Sequence, residues 1–189
     1  STIVTDPAVT DPAVTGSPPD FKEYTANAAK GNNYGIEAEA DWRVTDSLRV
    51  FSSLGWLETK ISSFKNPDPD AYNLEGREQA HAPRYQYSLG TQYDFMNNFY
   101  VSLALEGKAN FYFSDSHGQK SKNYNLVNAT IGYDVDQFSV SVWAKNLTDE
   151  DYTVRGFGFD NDPRTGNEPE QHIQLAEPRV VGVSARYNF

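Results

Sequence analysis

The chain reads as an all-β protein, a transmembrane antiparallel β-barrel, and three observations point there. Seven segments alternate apolar and polar residues at a period of two, which sends the two sets to opposite faces of a strand. Their apolar faces run for roughly nine to fifteen residues; a tilted strand needs about 9–11 to cross hydrocarbon, and ordinary strands average about five or six. Turns of two or three residues alternate with long polar connections, like the periplasmic turns and extracellular loops of bacterial barrels.

Residues 1–23 come first. They repeat Thr-Asp-Pro-Ala-Val at 5–9 and 10–14 and carry prolines at 7, 12, 18 and 19. Because proline cannot donate to a ladder, this stretch is expected to be a flexible tail or an extracellular loop, with the barrel strands in 24–189. The first strand, about 33–45, sets Tyr34, Ile36, Ala38, Ala40, Trp42 and Val44 against Gly35, Glu37, Glu39, Asp41 and Arg43. Thr45, Asp46 and Ser47 make a turn. The second, about 48–60, carries Leu48, Val50, Leu54 and Trp56 outward, but Phe51 and Leu57 have the wrong parity. In 83–95, Tyr85, Tyr87, Leu89, Tyr93 and Phe95 share a face; in 99–113, Phe99, Val101, Leu103, Leu105, Ala109, Phe111 and Phe113 do. Strand 123–135 points Val127, Ala129, Ile131, Tyr133 and Val135 outward, and 138–147 points Phe138, Val140, Val142 and Ala144 the same way. Trp143 falls among the inward residues there, a misfit. The last strand, about 178–189, alternates through Val181, Val183, Ala185, Tyr187 and Phe189.

An amphipathic helix would repeat at three and four residues instead. Short connections at 45–47, 96–98 and 136–137 mark the periplasmic end; the long ones at about 61–82, 114–122 and 148–177 mark the outside. Trp42, Phe95, Phe99, Tyr133, Phe138, Tyr187 and Phe189 then fall near one level as a lower aromatic girdle. Seven strands are odd in number, whereas bacterial single-chain barrels use even counts. Two open edges in lipid would leave backbone groups unsatisfied at several kcal/mol each. The chain is therefore expected to be one piece of a larger barrel, with the rest on a separate or cleaved polypeptide. With no signal peptide at Ser1, it is expected to be mature or to begin partway through a longer protein.

Composition excludes several classes. No cysteine is present, so disulfides and thiolate metal sites are out. Mean hydropathy is negative and no apolar run reaches the length of a membrane helix, but alternation cancels a barrel's hydropathy in any window. Twelve Tyr, eleven Phe and three Trp suit a membrane boundary, where one end of a ring is dry and the other wet. Segments 1–23, 61–82 and 148–177 hold sixteen acidic residues against five basic ones within a net charge of −10. The loops are acidic and the strands near neutral. Such loops can attract cations or a positively charged ligand. With no basic stripe to meet phosphate, nucleic acid is disfavoured.

Inward residues Glu37, Glu39, Asp41, Arg43, Arg84, Glu106, Lys108 and Arg186 would line the lumen, there to bond a plug, to set ion selectivity or to form a hydrated wall. Glu37 and Glu39 share a face as glycosidase carboxylates might, but without a pocket for a sugar no enzyme is expected. His81, His117 and His172 fall on three outer loops; they could meet over the mouth around a metal, and unrelated exposed histidines are the expectation. Asp160, Asn161, Asp162, Gly166 and Glu168 resemble a calcium loop only faintly, and Arg164 takes a ligand position. Asn128 and Asn146 head glycosylation-type triplets beside strands. The mouth loops are the best place for ligand contacts, with Arg77, His81, Arg155, Phe157, Phe159 and Arg164 the candidates. No metal or cofactor is expected.

The run Val142-Trp143-Ala144-Lys145-Asn146-Leu147-Thr148-Asp149-Glu150-Asp151-Tyr152, followed after a long loop by Glu177-Pro178-Arg179 and the terminal strand, resembles the C-terminal part of TonB-dependent outer-membrane receptors. Asn33-Tyr34-Gly35-Ile36-Glu37-Ala38-Glu39 and Ala82-Pro83-Arg84-Tyr85-Gln86-Tyr87-Ser88 agree and stand in the family's order. The resemblance implies a 22-stranded barrel filled by an N-terminal plug, importing a siderophore-like metal chelate or another large nutrient with energy relayed by TonB. It implies the bacterial outer membrane as location. The partners are then the lipid bilayer and lipopolysaccharide, the remaining strands and plug, TonB through the N-terminal part, and the nutrient. Plug and TonB box have no counterpart in the 189 residues. The alternative is a passive porin or structural outer-membrane barrel; a soluble β-rich binding protein is the third class.

Overall fold

The structure is a computed structural model that describes residues 2–5, 21–24, 29–65, 73–115, 117–159, 164 and 170–189. Among them no helix is long and apolar enough to cross a membrane, and the assigned elements are strands. Strands β1 (Thr2–Thr5) and β2 (Phe21–Tyr24) pair antiparallel, Thr2 opposite Tyr24. The prolines at 7, 12, 18 and 19 lie outside the described residues.

Seven strands form one antiparallel sheet: β3 (Ala29–Arg43), β4 (Leu48–Phe64), β5 (Tyr85–Phe95), β6 (Phe99–Lys108), β7 (Tyr124–Val135), β8 (Phe138–Lys145) and β11 (Val180–Tyr187). Each neighbours the next in sequence, except that β8 passes to β11 across a hairpin of β9 (Thr153–Phe159) and β10 (Glu170–Leu175). Turn chemistry supports the short connections. Thr45 Oγ1 accepts the Ser47 and Leu48 N–H groups at 3.2 and 3.0 Å, and Met96 and Asn97 both take positive φ, at 50° and 63°, as tight hairpin loops require.

One sheet face is apolar and open. Ile36 is 68% exposed, Leu103 47% and Val183 70%, and among the described residues no large side chain is fully buried. Cohesion therefore comes from the backbone ladder, the arrangement a bilayer demands of a spanning wall. Rings expected at the lower rim meet in two groups: Phe95–Phe99 at 5.8 Å with Phe99–Tyr133 at 4.6 Å, and Tyr187–Phe189 at 5.1 Å between centroids. Nearer the loops Tyr34 stands edge-on to Trp56 at 5.9 Å.

The parity misfits have a common cause. By register Phe51 faces Gly90, Leu57 faces Gly35 and Trp143 faces Gly182. The Phe51 and Trp143 rings occupy the space that a Cβ on the opposing glycine would need, and Tyr100 does the same over Gly132. Each ring is turned inward because the next strand offers it a bare backbone, a pairing that pins register. The Trp143 indole N–H also reaches Ser184 Oγ, 3.0 Å away.

Two expectations are corrected. Strand 99–113 ends at Lys108, and Phe111 and Phe113, expected to face lipid, are buried with Ile61, Leu74 and Ala109. The chain leaves the ladder after Lys108, and Phe111 and Phe113 pack on each other while Arg77 and Lys120 take the ring of the intervening Tyr112. Segment 148–177, expected to be loop, contains the β9–β10 hairpin, whose register shifts between Gln174 and Leu175.

Candidate functional site

The polar face of the sheet follows from the register. Glu37, Gly55, Gln86, Lys108 and Tyr124 lie in one row across the strands, and Glu39, Ser53, Ser88, Glu106 and Leu126 lie in the next. These rows border an open groove of about 560 Å³ that Tyr152 closes from the loop side. On the same face, the Arg49 Nε–H donates to Asp41 Oδ1 at 2.9 Å, and the Asn128 amide donates to Glu106 at 3.1 Å. Lys108 turns up toward the Phe111 ring, 5.9 Å away. Arg43 and Arg186 are exposed on this face. Arg49 escaped the sequence reading because Phe51 obscured the parity of its strand.

Above the groove, the Tyr152 ring lies against Tyr124, tilted by 40° with centroids 4.5 Å apart. Burial pushes the Tyr152 phenol above its ordinary value, and Tyr124, Glu177 and Glu106 push the same way. Its position is set by a knot at the end of β8. Asn146 is 3% exposed, with φ of 48°. Its N–H donates to Asn128 Oδ1 at 3.0 Å; its amide donates to the Glu150 carbonyl at 2.9 Å and the Glu177 carbonyl at 3.4 Å, and accepts the Glu150 N–H at 2.9 Å. The Arg179 N–H donates to Asp149 Oδ1 at 2.8 Å. The knot thus ties both ends of the 148–177 excursion together. An amide so occupied has no room for a glycan.

Between the mouth loops lies a buried cluster. Arg77 is 8% exposed; its guanidinium lies 3.7 Å from the Tyr112 centroid and donates to the Ser114 carbonyl. Lys120 Nζ is 4.0 Å from the same centroid, and two cations this close must take opposite faces of the ring. Glu78 joins the cluster by pairing with Lys120 at 3.2 Å and with Arg84. Burial alone would raise the Glu78 carboxyl, but the Arg84 guanidinium and Lys120 ammonium outweigh it and hold it below the ordinary carboxylate value. His81 is exposed, with φ of 57°; its N–H donates to the Tyr112 carbonyl at 2.8 Å and its ring lies 5.7 Å from Phe111.

The hairpin carries the other candidates. Arg155, Phe157 and Phe159 share one face of β9, and by register His172 joins them opposite Phe157. Phe157 lies 5.4 Å from Phe159 and 5.8 Å from His172, with Arg155 Cζ 5.8 Å over Phe157. The other face has Gly156 and Gly158, which admit Phe113, Gln119 and His117 from the loop after β6. The structure therefore gathers the candidates in two neighbouring groups, Arg77 with His81 and Arg155 with Phe157 and Phe159, joined through Phe113. Arg164 is exposed. Asp160, Asn161, Asp162, Gly166 and Glu168, the calcium-loop reading, lie outside the described residues. His81, His117 and His172 sit on three separate elements, and among the described residues no group of His, Asp or Glu is arranged to hold a metal. Tyr112, Lys120 and Tyr152 were missed; the unbroken Phe111-Tyr112-Phe113 run was the signal for the first.

The model of the TonB dependent receptor-like β-barrel family matches residues 1–147. Solved structures extend the likeness. The ferric yersiniabactin uptake receptor FyuA from Yersinia pestis is 21% identical with a TM-score of 0.70, over 86% of this chain and 24% of its own. The unliganded ferric citrate transporter FecA is 18% identical with a TM-score of 0.66, over 85% of this chain and 25% of its own. BauA, the ferric preacinetobactin receptor from Acinetobacter baumannii, is 18% identical with a TM-score of 0.61, over 100% of this chain and 25% of its own. The chain spans about a quarter of the length of these structures, and at such identities the likeness carries the fold. The family match stops at residue 147, before Asn146's partners Glu150 and Glu177; the structural likeness extends past it.

Proposed function

The chain belongs to the TonB-dependent receptor-like β-barrel family, and from that premise we propose that it forms one wall of an outer-membrane receptor importing a metal chelate or another large nutrient. The observation that carries this is the division of the sheet into an open apolar face carrying aromatic rings and a face lined with charged and polar side chains, the section of a wall between lipid and a watery lumen. The outer strands β3 and β11 pair with further strands of the same barrel, and the lumen row from Glu37 to Tyr124 meets a plug. Lipopolysaccharide and lipid face the opposite side, and TonB acts through the plug. Of the mouth candidates, Phe157, Phe159, His81 and Arg164 are the ligand contacts, Arg155 covers the Phe157 ring, and Arg77 braces the loops through Tyr112. Phe189 ends at the periplasmic rim, and no step of catalysis is assigned.

Uptake of co-purifying ligand into cells tests the reading. Accumulation should stop when the proton-motive force is collapsed or TonB is removed. Uptake that persists unchanged would move the protein to passive porins. Intact mass of the purified complex tests the wall: further strands, on the same or another polypeptide, must accompany these seven. A monodisperse species that purifies without detergent would overturn the membrane assignment.

A further inference from the structure

The β9–β10 hairpin divides its work between two faces. Glycines at 156 and 158 notch one face, and the loop bearing Phe113, His117 and Gln119 fills the notches. The other face presents Phe157, Phe159 and His172, all within 6 Å of one another as ring centroids, at distances of 5.4, 5.8 and 5.9 Å. Phe159 is 52% exposed and His172 is exposed too. Rings gathered in water on a hydrophilic segment offer a surface for a ligand.

The sign of the occupant's charge follows from the surroundings. Segment 148–177 holds eight carboxylates against two arginines, a local field that draws cations. Glu170 stands opposite Phe159 in the ladder, so its carboxylate leaves from the same face as the rings. Ring faces are themselves negative and attract ammonium and guanidinium groups. The molecule already uses that chemistry here, with Arg155 over Phe157, and nearby, with Arg77 and Lys120 on Tyr112.

We infer that the Phe157–Phe159–His172 face, with Glu170, is a binding site for an organic cation: an ammonium group carrying an apolar skirt. The site names a ligand class for the barrel mouth, and it rests on the receptor reading only for placing the hairpin there. Arg155 competes with such a ligand for the Phe157 ring and repels it, so it sets the threshold of affinity and supplies none.

The test uses the purified protein in detergent, titrated with choline, with its neutral carbon isostere dimethylbutanol and with benzoate, read by ring NMR of the histidine and phenylalanine side chains. Choline should bind saturably and the alcohol should not. The double variant Phe157→Ala with Phe159→Ala should weaken choline about tenfold, Glu170→Gln should weaken it severalfold, and Arg155→Gln should strengthen it. These residues are surface positions of the hairpin, and Arg155→Gln keeps every ring, so loss of fold cannot imitate its gain. Binding of benzoate in place of choline, equal binding of the alcohol, weakening by Arg155→Gln, or no binding of any probe would each overturn the inference. Energy-independent uptake alongside intact choline binding would remove the receptor reading and leave this one standing.

Discussion

On the outer face of the sheet, Ile36, Leu54, Leu103, Val142 and Val183 stand open; beneath the mouth loops, Ile61, Leu74, Phe111 and Phe113 are closed off. Residues of one kind thus obey opposite rules in neighbouring parts of one chain. In the sheet, the ladder supplies cohesion and the side chains are chosen to suit hydrocarbon. In the loop cluster, water is the solvent, so burial holds the segment together, about 25 cal/mol for each Å² of apolar surface covered, aided by two cations on the Tyr112 ring. A substitution should therefore be judged by the solvent of its neighbourhood, and the sharpest tests apply different ones to the two regions.

The largest effect is expected in the cluster. Phe113 is 3% exposed, meets Phe111 edge-on at 5.6 Å and fills the notch at Gly156. Phe113→Ala should cost about 3–5 kcal/mol of local stability, seen as accelerated proteolysis of the 109–122 and 153–175 segments. The sheet should keep its melting behaviour. Phe138→Ala, on the open face at the lower rim, should leave loop proteolysis unchanged, and equal sensitivity would erase the distinction between the regions.

Next comes the converse. Leu103 sits mid-strand on the open face. If hydrocarbon is its solvent, Leu103→Arg should destabilise the protein in phospholipid vesicles by about 2–4 kcal/mol, measured by denaturant unfolding. An exposed leucine facing water would tolerate the same change within about 0.5 kcal/mol. The smaller value would assign both regions to one solvent and end the membrane reading.

How much of this was visible in the residues differs between the regions too. Period-two alternation located all seven strands of the wall, because a sheet between two solvents must repeat its sides residue by residue. What failed there failed for a stated reason: the inward rings of Phe51 and Trp143 find their room over Gly90 and Gly182, which are strand partners that no local window contains. Phe111 and Phe113 were misassigned because alternation ran on past the point where the ladder stops. The hairpin was half visible: Arg155, Phe157 and Phe159 alternate with Val154, Gly156 and Gly158, but the polarity around them hid it, and His172 joins only through register. Arg77's contact with the Tyr112 ring spans 35 positions of sequence, a separation that no local pattern records.

A smaller effect probes the ring-on-glycine pairs within the wall. A Cβ at Gly132 would collide with the Tyr100 ring, so Gly132→Ala should cost about 1–3 kcal/mol as overpacking. Tyr100→Ala leaves Gly132 uncovered and should also destabilise. Together the two should cost less than their sum, with a coupling of about 0.5–3 kcal/mol in a double-mutant cycle. Simple additivity would mean that the ring does not pin register.

The smallest effect is a pH response confined to the cluster. Glu78 is held below the ordinary carboxylate value by Arg84 and Lys120 against the pull of burial. A depressed carboxylate stabilises the fold above its unfolded value and loses that contribution as pH falls through the folded one. Acidification from neutrality should therefore leave loop protection intact down to the ordinary range near pH 4.3. Below it, the link between the 73–84 and 109–122 segments should loosen, which hydrogen exchange of the His81 N–H, bonded to the Tyr112 carbonyl, would report. Glu78→Gln abolishes the titration, so its loops should be weaker at neutral pH and indifferent to that acid step, while the wall, held by its ladder, should show no difference between the two proteins. An acid step that survives in Glu78→Gln would assign the response to another carboxylate and remove Glu78 as the link between the loops.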